Sequence, residues 1–251
     1  MTALARSDSA ARDLRERGAD VVRGDLTQPA AWTHSVADVD VVFHVGGPRL
    51  SPPLRRRHVR RLEGQTRQGA RAVAAAAAPD AAIVVASCGI GDARGPLGIA
   101  APALAGEEEV PRDVARVVRL PWAYGPGGFI RDVARGLQMR RFRIVGPGTN
   151  RIALIGASDA AAAILAAAAA PPGVYGVEEA SAPTQVELVH HLCAGRGAPR
   201  PDHLPPRFAS LSMGGVVVEA LLADQRVPGA PPPGFAPAQE WRRDLVPSLI
   251  G

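Results

Sequence analysis

Three side chains in this sequence combine reactive chemistry with a useful position: His44, Cys88 and Tyr124. His44 closes the apolar run VDVVFHV (39–45), and an imidazole has the unperturbed pKa best suited to proton transfer near neutrality. Ser87 and Cys88 follow the run Ala82 to Ala86, which places them at the carboxyl end of a strand, where open α/β sheets bind ligands. Tyr124 lies in WAYGPG with Trp122 close by, and Asn150, Arg151 and Asp159 add polar groups downstream. Each has a plain alternative: a strand-end histidine packed under a loop, a small buried thiol, a packed loop aromatic. All 29 basic residues are arginine, so no lysine can take part in the chemistry. No metal site is expected.

These residues need elements to hold them. Strands are predicted at Thr2 to Ala5, Ala19 to Val22, Val39 to Val45, Ala82 to Ala86, Ala115 to Leu120, Phe142 to Val145 and Val174 to Val177. Helices are predicted at Ser9 to Gly18, Gln65 to Ala78, Leu104 to Glu109, Phe129 to Gln138, Ser158 to Ala170 and Gln185 to Ala194, the last capped by Thr184. A further amphipathic stretch runs from Val216 to Leu222 in a Pro- and Gly-rich tail. Strands alternating with helices point to a parallel sheet with crossover helices. Asp159 suits the first turn of its helix through the dipole. GIGDARG (89–95) follows a strand like a phosphate loop, but Asp92 would oppose phosphate and Pro96 follows where a helix should start. It is read as the loop after the strand.

At 251 residues the chain suits one α/β unit with a smaller appendage, and 47% hydrophobic residues suit a globular core. Apolar runs are too short for a membrane span, and no signal-peptide profile opens the chain. With only two cysteines, Cys88 and Cys193, a reducing, cytoplasmic setting is expected. The net charge of +5 and the cluster RRRHVRR (55–61) invite a nucleic-acid reading. A solvated helix face is the preferred reading, so neither nucleic acid nor membrane is expected as a partner.

The segments TALARS (2–7), GDL (24–26), VVFHVGG (41–47), ASC (86–88), LPWAYGPG (120–127), GTNR (148–151) and GVYGV (173–177) resemble, in this order, the extended short-chain dehydrogenase/reductases. The nearest branch is that of the NAD-dependent epimerase/dehydratases and 3β-hydroxysteroid-dehydrogenase-like proteins, and the match covers residues 1 to about 200. The resemblance implies a Rossmann-like doubly wound parallel sheet (1–145) and a small C-terminal substrate-binding region (146–251) that does not fold alone. It implies that Arg6 meets the adenosine ribose or its 2′-phosphate, favouring NADP. Asp25 and Leu26 would flank the adenine, and His44 to Gly47, Gly46 among them, would run past the diphosphate and nicotinamide ribose. Ser87, Trp122, Asn150 and Arg151 would line the substrate pocket.

Three departures weigh against the family's redox chemistry. The family opens with a strand and a Gly-rich turn that holds the pyrophosphate, and residue 1 corresponds to a point inside the second strand. The first strand belongs between the second and the fourth. Without it, either the remaining strands re-pair, with a partner chain as one route, or the recorded start is displaced; unpaired buried groups would cost about 1–3 kcal/mol each. The family's Tyr-x-x-x-Lys pair is also missing: alignment on Leu104 to Glu108 puts Ile99 at the Tyr and Ala103 at the Lys. Finally, the connection from Gly91 to Glu107 is short.

The expectation is therefore a dehydrogenase-fold protein, lacking the usual first strand, that performs a non-redox acid–base step (isomerase, cyclase or lyase) on a small apolar metabolite. His44, Cys88 and Tyr124 are the catalytic candidates, no cofactor is expected, and the exposed sheet edge suggests a homodimer. The alternatives are an NADP-dependent reductase or epimerase recorded without its first strand, with Arg6, Asp25, Leu26 and Gly46 on the cofactor, and a non-catalytic ligand-binding module.

Overall fold

The computed structural model describes residues 1–47, 50 and 53–249. The N-terminal part runs β1 (Thr2–Ala5), α1 (Asp8–Glu16), β2 (Asp20–Arg23), β3 (Val41–His44), α2 (Arg56–Ala76) and β4 (Ala82–Cys88). A small hairpin of β5 (Gly91–Asp92) and β6 (Gly95–Pro96) leads to α3 (Ala101–Glu107), β7 (Ala115–Leu120), β8 (Trp122–Tyr124) and α4 (Gly128–Gln138). Then come β9 (Ile144–Val145), β10 (Leu154–Gly156), α5 (Ala157–Ala168), β11 (Gly173–Gly176) and α6 (Gln185–Arg196). The tail holds β12 (His203–Leu204), α7 (Pro206–Met213), α8 (Gly215–Leu222) and α9 (Trp241–Ser248).

The central sheet is parallel, in the order β11-β7-β4-β3. Its middle strand β4 opens as an apolar run because helices cover both faces, while β7 keeps Ala115, Val117 and Val118 buried and carries Arg116 and Arg119 between them. On one face Ile83, Val85 and Val117 pack with Ala70 and Val73 of α2; on the other, Val84 and Val118 meet Ala160, Ala163 and Ala167 of α5. The segment expected to form only a C-terminal appendage thus supplies β11 and α5 to the sheet layer, and β10 pairs with β8.

β1 and β2 pair with each other in parallel, as a separate sheet. Asp20 N donates to Met1 O at 3.0 Å and Gly24 N to Ala5 O at 3.2 Å, so the alternate residues Thr2 and Leu4 present their main-chain groups away from β2. On β3, Asp40 O accepts from Ala82 N at 2.9 Å, which turns the main chain of Val41 and Phe43 away from β4. Among the described residues no ladder joins the two edges, so re-pairing of these strands, one of the two outcomes left open by the sequence, is not seen among them. Side chains make the connection instead, because Leu4 and Val22 pack into the cluster around Val42 and Ile83.

α2 starts nine residues earlier than predicted. Val59, Leu62, Gly69, Ala70 and Val73 form its buried stripe, and the arginines between them fill the solvent side. Charge density hid the period. The GIGDARG segment forms the hairpin β5–β6 and heads no helix. α7 turns into α8 at Gly214 (φ +83°), where a Cβ would lie 2.3 Å from the Leu54 carbonyl oxygen. Only glycine fits there. No helix among the described residues is long and apolar enough to cross a membrane.

Candidate functional site

A cleft of about 1180 Å³ opens at the carboxyl ends of β4, β7 and β8. Its floor is Ala86, Ser87 and Cys88 from β4 with Leu120 and Trp122, and its walls come from α4, α8 and Leu54. Trp122 stacks on Phe129 with ring centroids 4.4 Å apart. The lining is mostly apolar, in keeping with pockets for small organic ligands.

Ser87 is the polar group on this floor that has a chemically informative partner. Its hydroxyl donates a short hydrogen bond to Glu107 Oε1, at the end of α3. Arg119 of β7 grips the same carboxylate twice, Nε to Oε1 at 3.1 Å and Nη2 to Oε2 at 2.6 Å. The Glu107 side chain is only 9% exposed. Pairing with this carboxylate raises the already high pKa of the Arg119 guanidinium. A bidentate clamp of this kind holds a carboxylate in a fixed orientation. Sequence reasoning picked out Ser87 but treated Glu107 only as an alignment marker, and Arg119 not at all.

The structure brings together Ser87, Cys88 and Trp122 in the cleft. Burial pushes the Cys88 thiol upward, with partial relief from the amide of Ile90, so it stays protonated near neutrality and is a poor nucleophile. The other sequence candidates lie elsewhere. Tyr124 is fully buried in the cluster formed by α4, α6 and α9, and its hydroxyl faces Glu179 rather than the cleft. Burial and the negative charge of Glu179 push that phenol far above its usual range. His44 is 7% exposed at the end of β3, outside the cleft lining, and burial lowers its pKa. Asn150 Nδ2 donates to Ala223 O at 3.0 Å, and Arg151 N donates to Asp224 Oδ1 at 2.8 Å. Both residues therefore fasten the tail to the body instead of lining the cleft. Ile99, at the family's tyrosine position, is a buried wall of the cleft.

On the nucleotide side, Arg6 leaves the end of β1 with its side chain 83% exposed and lies 3.7 Å from Asp25. Asp25 Oδ1 accepts from Thr27 N at 2.9 Å and Thr27 Oγ1 at 2.7 Å, which holds its carboxyl below the usual range. Leu26 lies against Gly46, where a Cβ would come within 3.2 Å of Leu26 Cδ1. The result is an exposed guanidinium, a fixed carboxylate and a close glycine backbone side by side, and this set fits the adenosine end of a dinucleotide. No group of three or more His, Cys, Asp or Glu among the described residues could hold a metal ion.

Residues 1–116 match the NAD(P)H-binding domain family. No curated protein matches the chain in sequence. Among solved structures, the human epimerase family protein SDR39U1, determined with NADPH, is similar over 99% of each chain, at 18% identity and a TM-score of 0.76. UDP-glucose 4-epimerase of Thermotoga maritima, with UDP-glucose, is similar over 99% of this chain and 97% of its own, at 14% identity and a TM-score of 0.69. RMD of Pseudomonas aeruginosa, with NADPH, is similar over 98% of this chain and 97% of its own, at 18% identity and a TM-score of 0.64. The resemblance read from the sequence holds, and the Rossmann-like fold with it. The expectation of no cofactor gives way, because the N-terminal half matches a family that binds NAD(P)H.

Proposed function

We propose, for a chain with the extended short-chain dehydrogenase/reductase fold and an NAD(P)H-binding first half, that it holds NADP(H) and performs an acid–base step on a small apolar metabolite. Isomerisation, cyclisation or elimination fits this description. The observation that carries the reading is the clamped carboxylate beneath the cleft: Ser87 donates to Glu107, and Arg119 fixes Glu107 with two bonds. Ser87 Oγ can take a proton from the substrate as its own proton passes to Glu107. The reverse transfer then returns a proton to another substrate atom. The apolar walls exclude water from this exchange.

A bound dinucleotide supplies hydride chemistry in proteins of this fold. Here Arg6, Asp25, Leu26 and Gly46 would hold its adenosine end, with the exposed Arg6 fork, paired on one side with Asp25, reaching a 2′-phosphate. The chemistry of the cleft favours proton transfer without net redox. The sequence contains no lysine, and of its two tyrosines Tyr124 is buried away from the cleft while Tyr175 donates to Pro171 O at 2.6 Å. A conventional NADPH-dependent reductase is the second reading, favoured by the match of residues 1–116.

Turnover of apolar carbonyl and alkene metabolites, followed by mass spectrometry with NADPH consumption monitored in parallel, separates the two readings. The expected result is NADPH binding, product formation without net NADPH oxidation, and a loss of about 10²-fold or more in Ser87→Ala and Glu107→Gln. Stoichiometric NADPH oxidation, or turnover unchanged in both variants, refutes the proposal.

A further inference from the structure

Arg131 and Arg135 of α4 and Arg196 of α6 line the cleft in addition to its apolar walls. Asp132, the one carboxylate among the described lining residues, is already engaged. Arg131 Nη1 donates to the carbonyl of Pro126, while Arg135 and Arg196 have no ion-pair partner among the described residues. The Nε of Arg196 is buried with no hydrogen-bond acceptor among the described residues. Arg135 and Arg196 each occupy the last turn of their helix, where a cation suits the dipole. The dipole, however, does not use the fork of donors that each guanidinium carries. A buried donor left without an acceptor costs about 1–3 kcal/mol, and an anion would remove that cost.

These arginines lie toward the far end of α4 from the reactive floor. Phe129, stacked on Trp122, and Arg135 are six residues apart on one helix, or about 9 Å along its axis. Between them the lining carries Val133 and Ala134 together with Arg131 and Asp132, both already engaged. We infer that the outer end of the cleft receives the carboxylate of an apolar acid whose body extends about 9 Å or more toward Ser87. This inference rests on reading the cleft as the site of a small apolar ligand. A guanidinium fork matches a carboxylate in geometry as well as charge, and Leu120, Trp122, Phe129, Val133 and Ala134 offer apolar contact to a hydrocarbon body.

Decanoate and its methyl ester provide the test, titrated into the full-length protein with the fluorescence of Trp122 and isothermal calorimetry as readouts. Decanoate is expected to bind roughly tenfold tighter than the ester, the range for charge-assisted hydrogen bonds. Arg196→Gln and, separately, the exposed Arg135→Gln should bring the acid toward the ester's affinity and leave the ester unchanged. Equal binding of acid and ester to the parent protein, or a preference for the acid that survives in both variants, overturns the inference and leaves the apolar-ligand reading intact. If neither compound binds, the reading of the cleft falls, and the inference with it.

Discussion

Glu107 and Glu179 are both carboxylates withdrawn from water, and they behave in opposite ways. Glu107, below the cleft floor, is held by the two-pronged Arg119 and accepts the Ser87 hydroxyl. Glu179, behind the cleft, has no cation among the described residues. Its Oε2 accepts from Trp241 N at 2.8 Å, and the nearby Tyr124 hydroxyl is the polar side chain it faces. Burial, reinforced by the charges of Asp159 and Asp244, pushes Glu179 above the usual carboxylate range. A guanidinium aims the first carboxylate through two hydrogen bonds. The second tends toward neutrality and serves to seat the chain before α9. Burial alone therefore marks neither as reactive; the partner decides.

The comparison is tested hardest at Arg119. Replacing it by Met leaves Glu107 charged, nearly buried and unpaired, and removing one partner of such a pair costs about 3 kcal/mol, the low end of the range because Arg119 is partly exposed. Urea unfolding of Arg119→Met, Glu107→Gln and the double variant measures this cost. The double variant should lose less than the sum of the two singles, because neutralising Glu107 removes the orphaned charge. Additive losses, or a loss below about 0.5 kcal/mol in Arg119→Met, would make the clamp an ordinary surface pair.

Asp159 sharpens the contrast from the other side. Its Oδ2 accepts from Ala238 N at 2.9 Å and Gln239 N at 2.8 Å, so it holds the same lead into α9 that Glu179 holds at Trp241. Asp159→Ala should cost about 2 kcal/mol by leaving two amides without an acceptor. Hydrogen exchange should locate the loss: protection falls at Ala238 and Gln239 in Asp159→Ala and stays intact there in Arg119→Met. Loss of protection at those amides in both variants would mean that the two regions form one cooperative unit.

The sequence disclosed these regions unequally, for a physical reason. β4 was legible because a strand buried on both faces is written as a local apolar run, β7 because of its β-branched Val117 and Val118, and the cap of α6 because Thr184 directly precedes the helix; Glu187 was not foreseen as its partner. Their capping box is present as an N-terminal lock. α9 was not foreseen. Proline surrounds it, and the acceptors that seat it come from residues 159 and 179, about 60 to 80 positions earlier. The pairs β8–β10 and β9–β12 were missed because two- and three-residue strands carry no period. At the site, Ser87 could be named from its place at a strand end, whereas its carboxylate on α3 and the guanidinium on β7 meet only after folding. Asp159 stands in the first turn of α5, as expected for the dipole, and its carboxylate also accepts from the main chain of the tail, which the sequence did not disclose.

The smallest expected effect is a slope. Glu179 has a folded-state pKa above its unfolded value, so between the ordinary glutamate value of 4.5 and the raised one the folded protein binds more protons than the unfolded chain. Stability then falls as pH rises through that window, by the amount needed to ionise a desolvated carboxyl beside Asp159, Asp244 and the Tyr124 hydroxyl. Glu179→Gln keeps an oxygen for Trp241 N, adds an amide donor toward Tyr124, and cannot ionise. Its unfolding free energy should match that of the parent below the window and exceed it above, with a flatter profile between. His191 and Arg242, also packed around Trp241, remain in both proteins and cancel in the difference. Parallel pH profiles for the two proteins would show that Glu179 titrates alike in both states, and the distinction from the clamped Glu107 would then have to rest on geometry alone.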